Sequence, residues 1–533
     1  MQLTRKQIHE QGYFYTLILL AIFLPLSIYV TSIIMFLLAI NWTAEGMFAV
    51  KWKRAAGNRA LQLFLLLAFI HVVGLLWSSD LATGLLDVKV KVPLLILPLF
   101  IATSAPLQRR QIQWILFFFT LGVYAASMAS VFKLAGWLPG EVLNYRDLSL
   151  FVSHIHFSIM TVLALLITVY SLFVMRNSLS RAEQIFYIIG LLWFPVLLVL
   201  LKSLSGVVVA GVLGFFFLLR MVFEIRDRVI RFMVFVPVVM IPLFSVIYLG
   251  HAVNKFYSFD PLNAKEIDSL TVEGNRYTND LMNREVENGH YVWIHVCDEE
   301  LEREWSRVSE MDYRGRTANG NSLRTTLIRF LTSKGLRKDA AGLRQLSPGD
   351  IREIERGPSN YIYLDRFKLY PRIYEVIWEI DRYRMGYAPN NKSVVQRYLY
   401  LEAGWAIAWE HPLFGVGNGD VHQSFMSYYD EGSSPLAYEQ RRVAHNQYLT
   451  LLVGLGATGL LISILALVGP LYLTGRQHSF LAVGYLLMLM VAMLSDDTLD
   501  SSTGAALTGF FYSLFLFGPD FPWLARKTDN ENG

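Results

Sequence analysis

Arg397 and His445 are the residues of this chain best suited to chemistry, a permanent cation and an imidazole that flank one polar, glycine-rich stretch. Counting turns of about 3.6 residues puts Arg397 on one helical face with Leu401, Gly404, Trp405 and Ala408, so a guanidinium shares a stripe with groups that seek burial. Such a cation needs an anionic partner. The bland reading pairs Arg397 with Glu402 or lets it reach lipid phosphates. Between the two residues, Gly415-Val416-Gly417-Asn418-Gly419-Asp420 can turn backbone amides toward an anion, and Asp420 can cap a short helix through Met426. The pattern lacks the preceding strand of a dinucleotide site and the Lys-Ser/Thr of a P-loop, so Gly415 and Gly417 read as a structural turn ahead of an anion nest. His445 and Asn446 stand at the water-facing edge of the apolar run 448–473, where a neutral imidazole can take a proton between lipid and water. A merely hydrogen-bonded interfacial histidine is the alternative.

These residues must be held by apolar helices. With 54% hydrophobic residues in 533 and a mean hydropathy of +0.39, the composition is that of an all-α polytopic membrane protein. The run 13–42 is longer than the roughly 20 residues of one pass. Basic residues at both ends of it, Arg5 and Lys6 before and Lys51, Lys53, Arg54 and Arg59 after, imply two passes turning near Pro25-Leu26-Ser27. Further apolar segments follow at 60–77, 91–104, 112–135, 149–174, 184–201, 204–220 and 231–250, then at 448–473, 479–495 and 503–519. About twelve transmembrane helices result, with one large, mostly helical domain between the ninth and tenth. The expected division is 1–250 as membrane helices, 251–447 as an outer domain, and 448–533 as the last helices and a cytoplasmic tail that carries Arg526 and Lys527.

Charge alternation across the short loops supports this orientation, with Lys89, Lys91, Arg146 and Lys202 as the exceptions, basic residues on the outer side. The first apolar run has no small-residue cleavage site, so no cleavable signal peptide is expected. A net charge of +4 scattered through short loops gives nucleic-acid binding little support, and a single cysteine, Cys297, excludes an internal disulfide. In the outer region, 290–296 reads as a strand, 323–344 as an amphipathic helix and 364–384 as another helix. The 323–344 stretch carries Arg324, Arg329, Lys334, Arg337 and Lys338, a face suited to anionic lipid or glycan or simply to water. The 393–410 helix is stopped by His411-Pro412. His154 and His156 interrupt a pass, as ligands or as packed histidines. No close cluster of His, Cys and carboxylates suits a metal, and no cofactor is expected.

Together, an arginine on a helix, His-Pro-Leu-Phe-Gly-Val-Gly-Asn-Gly-Asp at 411–420, Ala-His-Asn-Gln-Tyr-Leu at 444–449 and Gly-Leu-Gly-Ala-Thr-Gly at 454–459 resemble the O-antigen ligase and polymerase superfamily. Leu-Ile-Arg-Phe-Leu-Thr-Ser-Lys-Gly-Leu-Arg-Lys-Asp at 327–339 resembles a block found in one bacterial branch of it. The resemblance implies a metal-independent glycosyltransferase in the bacterial inner membrane with its large loop in the periplasm. It would move a glycan from undecaprenyl diphosphate to a hydroxyl of lipid A-core, another glycan or a protein. It further implies that Arg397 stabilises the diphosphate, that His445 acts as base, that Asn446, Gly415 and Gly417 contact substrate, and that Asp497 occupies an acidic family position. Members place an arginine in a Ser-Arg-Ser/Gly-like membrane motif. Here that stretch is Lys202-Ser203-Leu204-Ser205-Gly206, so Leu204 holds the arginine position and Lys202 supplies charge without the bidentate fork. A polymerase, a protein O-oligosaccharyltransferase and, from another class, a polysaccharide transporter stay open. The passes show no two-half repeat of the kind transporters carry.

Overall fold

The computed structural model describes residues 4–140, 142, 145–259, 267–365, 368, 370–432 and 434–522. The basic tail with Arg526 and Lys527 lies outside them. Helices dominate: α1 Arg5–Phe23, α2 Ile28–Glu45, α3 Phe48–Gly57, α4 Arg59–Val73, α5 Leu81–Thr103, α6 Arg109–Leu134, α7 His154–Phe173, α8 Arg181–Leu200, α9 Leu204–Glu224 and α10 Arg228–Phe256. After a stretch with shorter elements come α11 Asp298–Val308, α12 Leu323–Ser333, α13 Ala340–Leu343, α14 Pro348–Arg356, α15 Tyr370–Arg384, α16 Ser393–Glu410, α17 Val421–Glu431, α18 Gln447–Leu473, α19 Phe480–Ala492 and α20 Ser502–Phe517.

Eight of the described helices, α2, α4 with its 3-10 extension to Trp77, α6, α7, α8, α9, α10 and α18, are long and apolar enough to cross a membrane. The other four expected segments are also helical. Of these, α19 and α20 are apolar but shorter, while α1 carries Arg5, Lys6 and Glu10 and α5 carries Asp87, Lys89 and Lys91. The turn expected within 13–42 falls between α1 and α2, where Ser27 accepts a hydrogen bond from the Val30 amide at 3.2 Å and starts the second helix.

The chain divides into two compact units. Unit 1 holds residues 1–142, 146–218 and 389–533; unit 2 holds 143–145 and 219–388. Packing thus groups 389–446, part of the expected outer domain, with the apolar helices. In unit 1, α7 is the most enclosed candidate span, and the fully buried rings of Tyr170, Tyr485 and Tyr512 sit in its core. The helices α4 and α18 approach closely because Gly469 faces Leu63, whose Cδ2 would lie 2.3 Å from an added Cβ.

The feature that builds the site is a break in α18. Gly456 has φ 66° and ψ −171°, and an added Cβ there would lie 2.2 Å from the Leu413 carbonyl carbon. A broken helix frees amides and carbonyls that lipid cannot satisfy. The 411–417 loop supplies all four partners. The Val416 and Gly417 amides donate to the Val453 and Gly454 carbonyls at 2.8 and 2.9 Å, and the Pro412 and Leu413 carbonyls accept from Ala457 and Thr458 at 2.8 and 3.2 Å.

Unit 2 packs Trp305, Leu323, Leu327, Ile328, Phe330 and Leu331 into its own core. The expected 323–344 helix ends at Ser333, because Gly335 turns left-handed at φ 71° and its amide and that of Leu336 fold back onto Thr332 and Leu331. Of the expected strand 290–296, the pair His290–Tyr291 forms a two-stranded sheet with Val286–Glu287. His295, at φ 55°, turns the chain out of the extended conformation. The helix expected from 364 begins at Tyr370, because the Asn360 side chain caps a separate 3-10 turn, Tyr361–Leu364.

Candidate functional site

The helix α16 has the expected bounds but buries a rotated face, Val395, Leu399, Tyr400, Ala403, Gly404, Ile407 and Ala408. Gly404 sets the rotation, since an added Cβ would lie 2.7 Å from Leu449 Cδ2 on α18. Trp405, expected on the buried stripe, is 59% exposed. Arg397 is partly buried near the edge of the packed face, and its charge acts on Tyr400, His445 and Asp496.

His445 stands just before α18 on a left-handed backbone, φ 48°. That conformation is costly for a residue other than glycine and persists where neighbours over-determine it. The Asn446 side chain accepts from the Leu449 amide and donates to the Leu494 carbonyl, each at 3.0 Å. Its oxygen and amide nitrogen both hold the fold, capping α18 and tying it to the turn after α19. That turn carries Asp496, Asp497 and Asp500. Thr450 donates to Asp497 Oδ1 at 2.6 Å, and Asp497 Oδ2 lies 3.8 Å from His445 Nδ1. The Tyr400 ring lies 5.7 Å from the imidazole, centroid to centroid. Residues from α16, the start of α18 and the turn before α20 therefore meet within unit 1.

Electrostatics sets their protonation. Burial, reinforced by Arg397, Arg442 and Arg146, lowers the His445 imidazole to about 4. It is a neutral acceptor at pH 7. Asp497 is raised to about 7 by burial and by the neighbouring Asp500 and Asp496, against the bond from Thr450. Burial also pushes Asp500 up, but Lys91, whose Nζ lies 2.7 Å from Oδ1, outweighs it and holds the carboxyl below its ordinary value. A neutral imidazole inside an arginine field, with the partly ionised Asp497 carboxyl 3.8 Å from Nδ1, can receive a proton from a hydroxyl while the arginines hold an anion.

The other expected site residues fare differently. The amides of Gly415 and Gly417, which an anion nest would need, go to His411 and Gly454. Asp420 leads into α17 but does not cap it; its carboxylate accepts from the Ser79 and Asp80 amides at 2.6 and 2.9 Å. This stretch is thus a splice that ties the α18 break to the loop before α5. Lys202 lies on a left-handed backbone, φ 50°, between α8 and α9. Leu204, at the arginine position, is 43% exposed. Ser495, beside Asp496, donates to Ser205 Oγ at 3.0 Å and so links the Lys202 turn to the acidic turn. His156 is buried and hydrogen-bonded to Ser153 and Ser501, the arrangement of a packed histidine.

Arg329 belongs to unit 2, where it pairs with the fully buried Glu287 and lies 4.1 Å from the Trp378 ring centroid. Its neighbours on the expected basic face also have partners there. Arg324 grips Asp298 through two bonds at 2.6 and 2.7 Å, Lys334 pairs with Asp350, Arg337 with Asp268, and Lys338 donates to the Tyr291 carbonyl. The stretch is a laced surface of unit 2 and presents no uncompensated cationic stripe.

Sequence reasoning missed Arg146, Arg442, Asp500 and Gln447 as members of this constellation. A signal existed for two of the cations involved. Lys91 and Arg146 were exceptions to the charge alternation, and basic residues that defy topology mark places where another force retains them.

Residues 361–464 match a family model described as O-antigen ligase. The match contains Arg397, the 411–420 splice, His445 and Asn446, and ends within α18. A comparison with curated proteins finds no match.

Proposed function

We propose that this chain, whose residues 361–464 match the O-antigen ligase family model, transfers a glycan from undecaprenyl diphosphate to an acceptor hydroxyl at the periplasmic face of the bacterial inner membrane, attaching it to lipid A-core. The observation that carries this reading is His445 held 3.8 Å from Asp497 and within the field of Arg397, the three residues coming from separate stretches. In the proposed reaction the acceptor oxygen attacks the anomeric carbon and the bond from that carbon to the diphosphate oxygen breaks. The electron pair stays on the leaving diphosphate, beside Arg397 and within the field of Arg442 and Arg146. The hydroxyl proton goes to His445 Nε2, because Nδ1 faces Asp497. Asp497, where ionised, then stabilises the imidazolium or takes the proton on from Nδ1. No step requires a metal, and Lys202 would add charge near the acidic turn.

The test is a transfer assay with purified protein, lipid-linked donor and lipid A-core in the presence of a chelator, beside a lipopolysaccharide gel of a deletion strain. Loss of attached glycan with accumulation of lipid-linked polymer supports the ligase reading. Attachment of single repeat units points to the polymerase, and an unchanged gel together with no transfer in vitro rejects both.

A further inference from the structure

We propose that Gln447 is a positioning residue for the base, holding His445 and Asp497 in register through Asp500 and Lys91. This rests on the reading of His445 as the proton acceptor.

Gln447 is the first residue of α18, two positions after His445, and is fully buried. Its backbone amide donates to the Met493 carbonyl at 2.9 Å. Its side chain works in both directions: Oε1 accepts from the Leu499 amide at 2.7 Å and Nε2 donates to Asp500 Oδ2 at 3.1 Å. The other Asp500 oxygen receives Lys91 Nζ at 2.7 Å, and Lys91, 2% exposed, also bonds Asp87. A buried polar chain therefore runs from α5 through the acidic turn to the start of α18.

The geometry is specific to the proposed chemistry. Asp497 lies between two anchor points, Leu494, held by Asn446, and Leu499 with Asp500, held by Gln447. The two residues that follow His445 thus pin the acidic turn on either side of the carboxylate that faces the imidazole. They also hold His445 in its left-handed conformation, which a less constrained backbone would leave. The Gln447 amide has the separate acceptor oxygen and donor nitrogen, at the end of a side chain long enough, to accept from the Leu499 N–H and donate to the Asp500 carboxylate at once. A glutamate would set two carboxylates against each other, and a methionine of similar size would leave the Leu499 amide and an Asp500 oxygen buried without a partner.

The experiment uses the full-length protein in detergent or nanodiscs with lipid-linked donor. The variants are Gln447→Met, Gln447→Glu, the double variant Gln447→Glu/Asp500→Asn, and His445→Ala as reference. The double variant keeps the network's net charge and reverses the donor and acceptor. The amide introduced at position 500 would give its N–H to the carboxylate introduced at position 447, while its oxygen still receives Lys91. Gln447→Met and Gln447→Glu should fold, bind donor within about threefold of wild type and lose roughly 10 to 10²-fold in kcat, as misplaced catalytic groups do. The acid limb of their pH–rate profile should move up toward ordinary histidine as the imidazole relaxes. The double variant should recover most of the lost kcat.

Wild-type kcat in well-folded Gln447→Met, with His445→Ala inactive, overturns the positioning role alone. Parallel loss of kcat, donor binding and thermal stability, without recovery in the double variant, assigns Gln447 to stability and likewise overturns it. An active His445→Ala removes the base reading on which the inference stands.

Discussion

The state of the His445 proton yields the sharpest prediction. An ordinary histidine titrates at about 6.5, so a base of that kind would be roughly 3% neutral at pH 5. His445 sits at about 4 in the uncomplexed protein, through burial and the fields of Arg397, Arg442 and Arg146. A base with that value is about 90% neutral at pH 5. The acid limb of kcat/KM for donor, which reports the free enzyme, should therefore lie near pH 4 and leave most activity at pH 5. Donor binding brings a diphosphate to the arginines and offsets their charge, so the limb in kcat should lie at higher pH than that in kcat/KM. Arg442→Gln, which removes one exposed cation, should move the free-enzyme limb toward 6.5. The groups facing the imidazole are Arg146, Arg397, Arg442, Asp497 and Tyr400. Asp497 titrates at about 7, so its own inflection is separable by Asp497→Asn. The stability consequence has the same sign. His445 is harder to protonate folded than unfolded, so its contribution is present above about 6.5 and is lost as pH falls toward 4. Turnover and pH profiles of purified protein measure this. A free-enzyme limb at 6.5, or one unmoved by Arg442→Gln, would refute the arginine-field argument.

Arg397→Lys keeps charge but loses the fork, and should cost about 10² to 10³-fold in kcat with the fold intact by thermal melting; normal turnover in Arg397→Ala would remove its role. Gly456→Ala places a methyl against the Leu413 carbonyl at φ 66°. It should destabilise by more than 3 kcal/mol in order of magnitude, whereas Gly475→Ala, at φ 69° with open space around it, should cost only about 1 kcal/mol. Equal thermal shifts in the two would show that the α18 splice carries no strain. Reporter fusions should place Glu285 and Ser347 on the periplasmic side and Lys53 and Arg228 in the cytoplasm; a cytoplasmic Ser347 would overturn the orientation and with it the proposed face of action.

What the sequence determined by itself is whatever depends on local pattern and on solvent. Runs of apolar residues in a chain that must satisfy its own backbone hydrogen bonds have little choice but helix, so all twelve apolar segments were legible as helices. The same holds for α16, bounded by His411-Pro412, and for the turn at Ser27. Arg397 and His445 stood out because their residue types conflict with their apolar surroundings. Tertiary structure decided the rest. The glycines of 415–419 read as a structural turn or an anion nest because their amides look free in sequence, and only the packing shows the Val416 and Gly417 amides closing a broken helix. The rotation of α16 followed from a single close approach, Gly404 against Leu449. The arginines that set the His445 proton and the Lys91–Asp500–Gln447 chain that pins its neighbour come from segments far apart in sequence. Their effect depends on distance and burial, which no periodicity encodes.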